Sequence, residues 1–155
     1  LLEQLPNVEL RLLVEPNLEE FNQELWQPGW DILFFAGHSS SQENGHIIQI
    51  SSRDSLSLEQ LRFGLKKAIE RGLKLAIFNS CDGLEIAWSL ADLQIPQAIV
   101  MREPVSDRIA QEFLKHFLVA FSGGQSFYLS VREAREKLQG LETQFPCASW
   151  LPVIC

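Results

Sequence analysis

The sequence predicts an α/β fold with a mostly parallel sheet, and three observations support this. Strand-like apolar runs alternate with helical patterns along the chain. Two of these runs, 31–36 and 73–78, are short, mostly apolar and end at polar turns, which is typical of strands buried in a parallel sheet. No internal repeat or low-complexity segment interrupts the alternation. Right-handed crossovers would place successive parallel strands side by side.

The first elements are predicted from alternation, caps and helix breakers. Residues 8–14 partly alternate and predict a first strand. Asn17, with Glu20 three residues later, is typical of a helix start, and Pro28 ends that helix before strand 31–36.

A polar loop over 39–45 and a hairpin arm over 46–50 are predicted next. Ser57 and Gln60 then form a capping-box pattern at the start of a second helix, which Gly72 ends. Strand 73–78 follows, and then a helix over 84–93 with Ala87, Trp88 and Ala91 inward and a strand over 98–101. The next helix has Ile109, Phe113, Phe117 and Phe121 in its core stripe. A last helix, defined by Phe127, Val131, Ala134 and Leu138, and a strand over 150–155 complete the prediction.

Composition indicates one globular domain. The chain has 155 residues, of which 46% are hydrophobic and 21% charged. A net charge of −7 argues against a nucleic-acid partner, and no apolar run is long enough to predict a membrane span. Because the chain begins at Leu1, we expect residues 1–155 to be a single domain within a longer multidomain protein.

The cysteines and glycines predict no cofactor or metal. Cys81, Cys147 and Cys155 show neither a disulfide framework nor a C-x-x-C spacing, which favours a reducing cytoplasmic setting. The chain also lacks the glycine-rich motifs that hold nucleotide phosphates.

The strongest functional signal lies at the ends of the two buried strands. Cys81 follows strand 73–78 and precedes a helix start, where the helix dipole favours a thiolate. His38 follows strand 31–36 in the same way. If the two strands are adjacent and parallel, about 4.8 Å apart, both residues leave the same sheet edge.

A histidine beside a cysteine suits nucleophilic catalysis. The imidazole can take the thiol proton and protonate a leaving amine. The backbone N–H groups of Ser39 and Cys81 are the candidates for an oxyanion hole.

The same residues carry a family resemblance. The run 34–39 (FFAGHS) and the run 79–83 (NSCDG), whose cysteine follows the histidine by 43 residues, resemble the catalytic stretches of the CHAT domain. Further similar segments are 100–107 (VMREPVSD), 131–134 (VREA) and 148–155. CHAT domains belong to the caspase-like cysteine peptidases, whose relatives include separase, gingipain, clostripain and metacaspases.

The resemblance implies a three-layer caspase-like sandwich, with a mostly parallel central sheet of about five or six strands and helices on both faces. It also implies that His38 is the catalytic histidine and Cys81 the nucleophile of an endopeptidase acting on protein or peptide substrates. Two positions depart from the family pattern: Ser39 stands where glycine is usual, and Glu103 where tryptophan is usual. Upstream protein-interaction repeats are common in such proteins and are expected partners in the full chain.

The relatives also suggest a specificity. Several hold a basic P1 side chain with a carboxylate, whereas caspases hold aspartate with arginine. Glu103 and Asp107 follow strand 98–101 and are the candidates to bind a basic P1 residue, although Arg102 beside them favours an acidic one.

Alternative readings remain open from sequence. Cys81 alone would suit a buried structural thiol, and Glu103 and Asp107 would suit plain loop or cap charges. The domain as a whole could be a catalytically silent caspase-like module for protein–protein interaction or signalling. A nucleotide-binding α/β domain is the third possibility, and the missing phosphate-binding glycines argue against it.

Overall fold

The computed structural model describes residues 9–42, 45–80 and 83–155. The helices are α1 Leu18–Leu25, α2 Leu58–Glu70, α3 Gly83–Asp92, α4 Asp107–Ser122 and α5 Phe127–Leu138. The strands are β1 Ile32–Ala36, β2 Ser39–Gln42, β3 Gly45–Gln49, β4 Ser55–Ser57, β5 Leu75–Asn79, β6 Gln97–Met101 and β7 Pro152–Ile154.

The described residues divide into two compact units. The sheet unit comprises Leu13–Pro104 and Val153–Cys155, and the helical unit comprises residues 9–12 and Val105–Pro152. Most of the candidate site residues, including His38 and Glu103, belong to the sheet unit.

The main sheet has the order β1-β5-β6-β7. β1 pairs with β5 and β5 with β6, both in parallel. At β7, Ala98 and Cys155 exchange both backbone hydrogen bonds, at 3.0 and 2.9 Å, which is the pattern of an antiparallel pair. The predicted α/β class with a mostly parallel sheet is therefore confirmed.

The strand predicted over 8–14 is wrong for residues 9–14, which form no regular structure. The side chains of Leu12 and Val14 are 72% and 77% exposed, so the alternation does not correspond to one buried face. A strand also needs a neighbour for its backbone groups, and none pairs with this segment in the described chain. As a result the described sheet has four strands rather than five or six.

A second, antiparallel sheet has the order β2-β3-β4. The predicted hairpin arm is confirmed as β3, but the predicted polar loop is wrong at its start, because Ser39–Gln42 forms β2. Serines are poor strand formers, yet pairing with β3, from Ser39↔Ile48 to Gln42↔Gly45, satisfies their backbone groups.

The core of the sheet unit is formed by side chains of both sheets together with those of α1, α2 and α3. The capping box predicted at α2 is confirmed: the Ser57 N–H donates to the Gln60 side chain at 2.8 Å, and the Gln60 N–H donates to Ser57 Oγ at 3.2 Å. Leu61 and Leu65 are buried as predicted. The rings of Phe35 on β1 and Phe78 on β5 pack with centroids 5.7 Å apart.

Helix α3 presents a different face to the core from the one predicted. Trp88 is 77% exposed, while Ile86, Ala87 and Leu90 are buried. The inward placement of Trp88 and Ala91 was therefore wrong, because the buried stripe is centred on Ile86 and Leu90 at a four-residue step.

In the helical unit, α4 and α5 pack on each other along an aromatic stripe. Phe113 stacks on Phe117 and Phe117 on Phe121, with centroids 6.1 and 5.4 Å apart, and Phe127 of α5 meets Phe117 edge-on. Ile109, Phe113 and Phe117 are buried in the core, as predicted, and Phe121 is half-buried. Across the described residues, no helix has the length and apolar character needed to cross a bilayer.

Candidate functional site

Strands β1 and β5 end level with each other. The parallel register runs from Ile32↔Leu75 to Ala36↔Asn79, and the N–H of Gly37 donates to the carbonyl oxygen of Asn79 at 3.3 Å. The prediction that these two strands are parallel neighbours is confirmed. Along the chain, His38 and Cys81 each stand two positions beyond the last paired residues, Ala36 and Asn79.

His38 lies in the short connection between β1 and β2. Its side chain is exposed, and its carbonyl oxygen accepts a hydrogen bond from the N–H of Gln49 at 2.9 Å. A Cβ atom at the preceding Gly37 would lie 2.8 Å from the Phe35 ring, and 3.2 Å from the Gln49 carbonyl oxygen. Glycine therefore lets the chain turn tightly between the strand end and the histidine.

Ser39 begins β2. It pairs with Ile48 of β3, one position along from the hydrogen bond that the Gln49 N–H donates to the His38 carbonyl oxygen. The role of the Ser39 N–H as an oxyanion donor stays a prediction.

Cys81, the predicted nucleophile and second oxyanion donor, lies outside the described residues, as does Asp82. The residues on either side are well buried: Ser80 is 3% exposed, and Gly83 begins α3 in van der Waals contact with β6. A Cβ atom at Gly83 would clash with the Met101 carbonyl oxygen. The start of α3 is therefore seated against the end of β6.

Two buried polar atoms at the end of β5 have no hydrogen-bond partner within the described chain. They are Asn79 Oδ1 and Ser80 Oγ. Buried polar groups are normally satisfied, so unpaired ones near a strand end are typical of functional or strained places. Sequence reasoning did not single them out, because burial of a polar side chain cannot be read from a serine in a turn.

Glu103 lies beyond the end of β6 at the same edge of the sheet. The β5–β6 register ends at Phe78↔Val100, which sets Met101 level with Asn79. Glu103 is thus two positions beyond β6, just as Cys81 is two beyond β5. Glu103 and Arg102 are both exposed.

Asp107 belongs to the helical unit, where it is the first residue of α4. The preceding Ser106 is the N-cap, and its Oγ accepts a hydrogen bond from the N–H of Ile109 at 3.4 Å. A carboxylate in the first turn of a helix interacts favourably with the helix dipole. A helix-start role therefore accounts for Asp107 without any substrate, and its binding role stays a prediction.

The sequence analysis missed a contact between the second sheet and α3. His46 Nδ1 of β3 lies 3.5 Å from Glu85 Oε2, in the first turn of α3. This contact links the second sheet to the helix that follows Cys81. No signal in the sequence pairs these residues, which are 39 positions apart (85 − 46).

An open groove of about 380 Å³ beside His38 likewise has no signature in the sequence. Its lining includes Ser39 and Ser40 of β2, Gln49 of β3, and Arg53 from the turn before β4. Because these lining residues come from two strands of the second sheet and from a turn between its strands, that sheet must fold before the groove exists.

Within the described residues, no group of three or more His, Cys, Asp or Glu side chains is placed to hold a metal ion. Cys147 and Cys155 are exposed free thiols. Partial burial raises the pKa of the Cys155 thiol, which lowers its reactivity as a nucleophile.

Comparison with known proteins identifies the family. No curated protein matches the chain significantly. The family model of the CHAT domain matches residues 1–154, which is nearly the entire chain. The chain therefore belongs to the CHAT domain family, which is related to the caspase-like peptidases.

Proposed function

We propose that this domain is a cysteine endopeptidase in which His38 and Cys81 form a catalytic dyad. The observation that carries the proposal is the level ending of β1 and β5, with Ala36 beside Asn79. His38 and Cys81 each follow these paired residues by two positions along the chain, which supports a shared place at one sheet edge. Family membership supports the same chemistry.

The reaction has two halves. The Cys81 sulfur attacks the scissile carbonyl carbon after His38 takes the thiol proton, and a tetrahedral oxyanion forms. As the C–N bond breaks, His38 donates that proton to the leaving amine, and an acyl-enzyme remains. Water then attacks the thioester, His38 removes its proton, and the carboxylic acid leaves with return of the thiol proton. Backbone N–H groups, with those of Ser39 and Cys81 as candidates, would stabilise the oxyanion.

We propose that the domain prefers substrates with a basic P1 side chain. The exposed Glu103 follows β6, the strand next to β5 on the side away from β1. No ion-pair partner is found for its carboxylate in the described chain. An unengaged carboxylate at that edge suits an arginine or lysine. Asp107 is the second candidate, and Arg102 is the residue that would favour an acidic P1 instead.

The proposed fold of the whole domain is the three-layer caspase-like sandwich of the family. The mostly parallel sheet of the structure supports it. The partners are a protein or peptide substrate and, in a longer chain, protein-interaction repeats. The setting is the cytoplasm.

Labelling with two peptide acyloxymethyl ketones, one with P1 Arg and one with P1 Asp, tests the dyad. A Cys147→Ser/Cys155→Ser background leaves Cys81 as the only thiol, so that intact mass reports that residue alone. The expected result is labelling by the Arg probe, lost in His38→Ala and Cys81→Ala. His116→Ala is the matched control, because His116 lies on α4 in the helical unit.

The outcomes separate the readings. Labelling by the Asp probe alone would show a preference for an acidic P1 residue, with Arg102 as the residue that binds it. Labelling that survives His38→Ala would show a reactive thiol without a dyad. No labelling by either probe would favour the silent interaction module. A Glu103→Gln variant should slow the Arg probe about twofold to fivefold, since exposed ion pairs contribute up to about 1 kcal/mol.

A further inference from the structure

The turn between β3 and β4 forms one side of the groove beside His38. Ser51 Oγ accepts hydrogen bonds from the N–H groups of Arg53 and Asp54, at 3.3 and 2.9 Å. The carbonyl oxygen of Asp54 accepts from the N–H groups of Ile50 and Ser51, at 3.0 and 3.1 Å. Four backbone N–H groups therefore donate hydrogen bonds within the turn between β3 and β4, two to the Ser51 hydroxyl and two to the Asp54 carbonyl oxygen.

Arg53 is the cationic side chain with which this turn lines the groove. Asp54 also lines the groove, but its carboxylate is engaged inside the turn by the hydroxyl of Ser51, at 3.4 Å. The exposed guanidinium of Arg53 has no ion pair or hydrogen bond with the described residues. Ser39 and Ser40 of β2 line the same groove and add hydroxyl groups to it.

The order of the strands decides which half of a substrate would reach this groove. In the proposed reaction His38 protonates the leaving amine, so the leaving half of the substrate runs past the histidine. The acyl half lies towards Glu103, beyond β6, on the opposite side of β5 from β1. The groove lies on the β1 side, with His38 in its lining.

We infer that this groove binds the leaving-side residues of the substrate and that Arg53 selects a carboxylate side chain among them, at P1′ or P2′. The inference rests on the proposed peptidase function. A planar guanidinium is the group best suited to bind a carboxylate with two hydrogen bonds. The preferred substrates then carry a basic residue before the cleaved bond and an acidic residue after it.

The experiment compares peptides with P1 Arg and with Glu, Gln or Lys at P1′ and P2′, read as kcat/KM. Wild-type protein should cleave the Glu peptides about twofold to fivefold faster than the Gln peptides, as an exposed ion pair allows. Arg53→Gln should abolish that preference, and Arg53→Glu should reverse it towards Lys. Lys66→Gln, which removes an exposed cation from α2, is the control and should keep it.

The P1 Arg ketone probe carries no peptide on the leaving side, so its labelling rate reports the dyad separately in every variant. Cleavage by wild type with no preference for Glu, or a preference that survives in Arg53→Gln, would overturn the groove assignment and leave the peptidase intact. Loss of probe labelling in Arg53→Gln would show that the arginine supports the fold of the site instead. Absence of both labelling and cleavage in wild type would overturn the proposed function and the inference with it.

Discussion

Gly83 stands where the first residue of α3 meets the backbone at the end of β6. An added Cβ atom would clash with the Met101 carbonyl oxygen and lie 2.8 Å from its amide nitrogen. Both atoms are backbone, so neither can move aside without shifting the strand or the helix. Because α3 begins two positions after Cys81, such a shift would also displace the cysteine.

We therefore expect Gly83→Ala to lower the free energy of unfolding by about 1–3 kcal/mol, as overpacking does, and to slow Arg-probe labelling. Urea unfolding and the labelling rate measure the two effects. Gly140→Ala is the matched control, because nothing lies within 4 Å of its Cβ position. An equal loss of stability in both variants would show that glycine itself, rather than the contact with Met101, is responsible.

Among the residues whose burial is described, two serines are buried, and their hydroxyls differ in hydrogen bonding. Ser80 is 3% exposed and its Oγ is unpaired among the described residues, whereas Ser130 is 0% exposed and its Oγ donates to the Ser126 carbonyl oxygen at 2.9 Å. Removing an unpaired buried hydroxyl relieves a desolvation cost, whereas removing a paired one loses a hydrogen bond, here to a carbonyl oxygen that also accepts from the Ser130 N–H at 2.9 Å.

We expect Ser80→Ala to leave the free energy of unfolding unchanged or raise it by up to about 1 kcal/mol, and Ser130→Ala to lower it by about 1 kcal/mol. Urea denaturation of both variants checks this. If Ser80→Ala is as destabilising as Ser130→Ala, its hydroxyl has a partner that is outside the described chain. If Ser80→Ala keeps its stability but loses probe labelling, the hydroxyl acts in the site.

Among the helices, α4 carries a histidine whose charge is disfavoured by folding. Partial burial and the nearby Lys137 ammonium lower the pKa of His116 below its ordinary value of 6.5, and Lys115 adds to this. The Glu112 carboxylate, 3.5 Å from His116 Nε2, and Glu133 act in the opposite direction but are outweighed.

A lowered folded-state pKa means that the unfolded chain binds more protons as the pH falls below the ordinary value. The contribution of neutral His116 to stability is therefore full above pH 6.5 and is lost as the pH falls towards its folded pKa. We expect wild type to lose more unfolding free energy than His116→Gln between about pH 7.5 and about pH 5.5. Urea midpoints at a series of pH values measure this, and parallel curves for the two proteins would contradict it.

How far elements could be predicted depends on whether burial or pairing forms them. Residues 31–36 and 73–78 are apolar runs and form β1 and β5; β5 is buried at all but its last position, whereas β1 is buried only at Phe35 and is completed by its pairing with β5. The serine-rich β2 was missed, because its strand conformation comes from pairing with β3. Residues 9–14, the described part of the predicted strand 8–14, form no strand because no other strand pairs with them.

The same distinction applies to the candidate site. His38 could be placed at a sheet edge from sequence, because parallel strands end together and its distance from the strand end is short. Arg53 could not be placed beside it, since it lies 15 positions further along the chain (53 − 38) and the segment between must first fold into a second sheet. Long-range pairing of this kind leaves no local pattern in the chain.

For the molecule as a whole, the net charge of −7 bears on which substrates approach. An anionic protein attracts a cationic peptide over a distance set by the Debye length, which falls from about 30 Å at 0.01 M salt to about 8 Å at 0.15 M. Attraction at that range raises the association rate and leaves the chemical step unchanged.

For a P1 Arg peptide with neutral leaving-side residues, we therefore expect kcat/KM to fall about twofold to tenfold between about 0.01 M and about 0.15 M NaCl, with kcat constant. The matched substrate has citrulline at P1, which keeps the shape of arginine without its charge, and its kcat/KM should stay nearly constant over the same range. A common salt dependence for both peptides would mean that salt acts on the protein rather than on the approach of the cation. A decrease in kcat instead of kcat/KM would place the effect of charge in the bound complex, at a group such as Glu103.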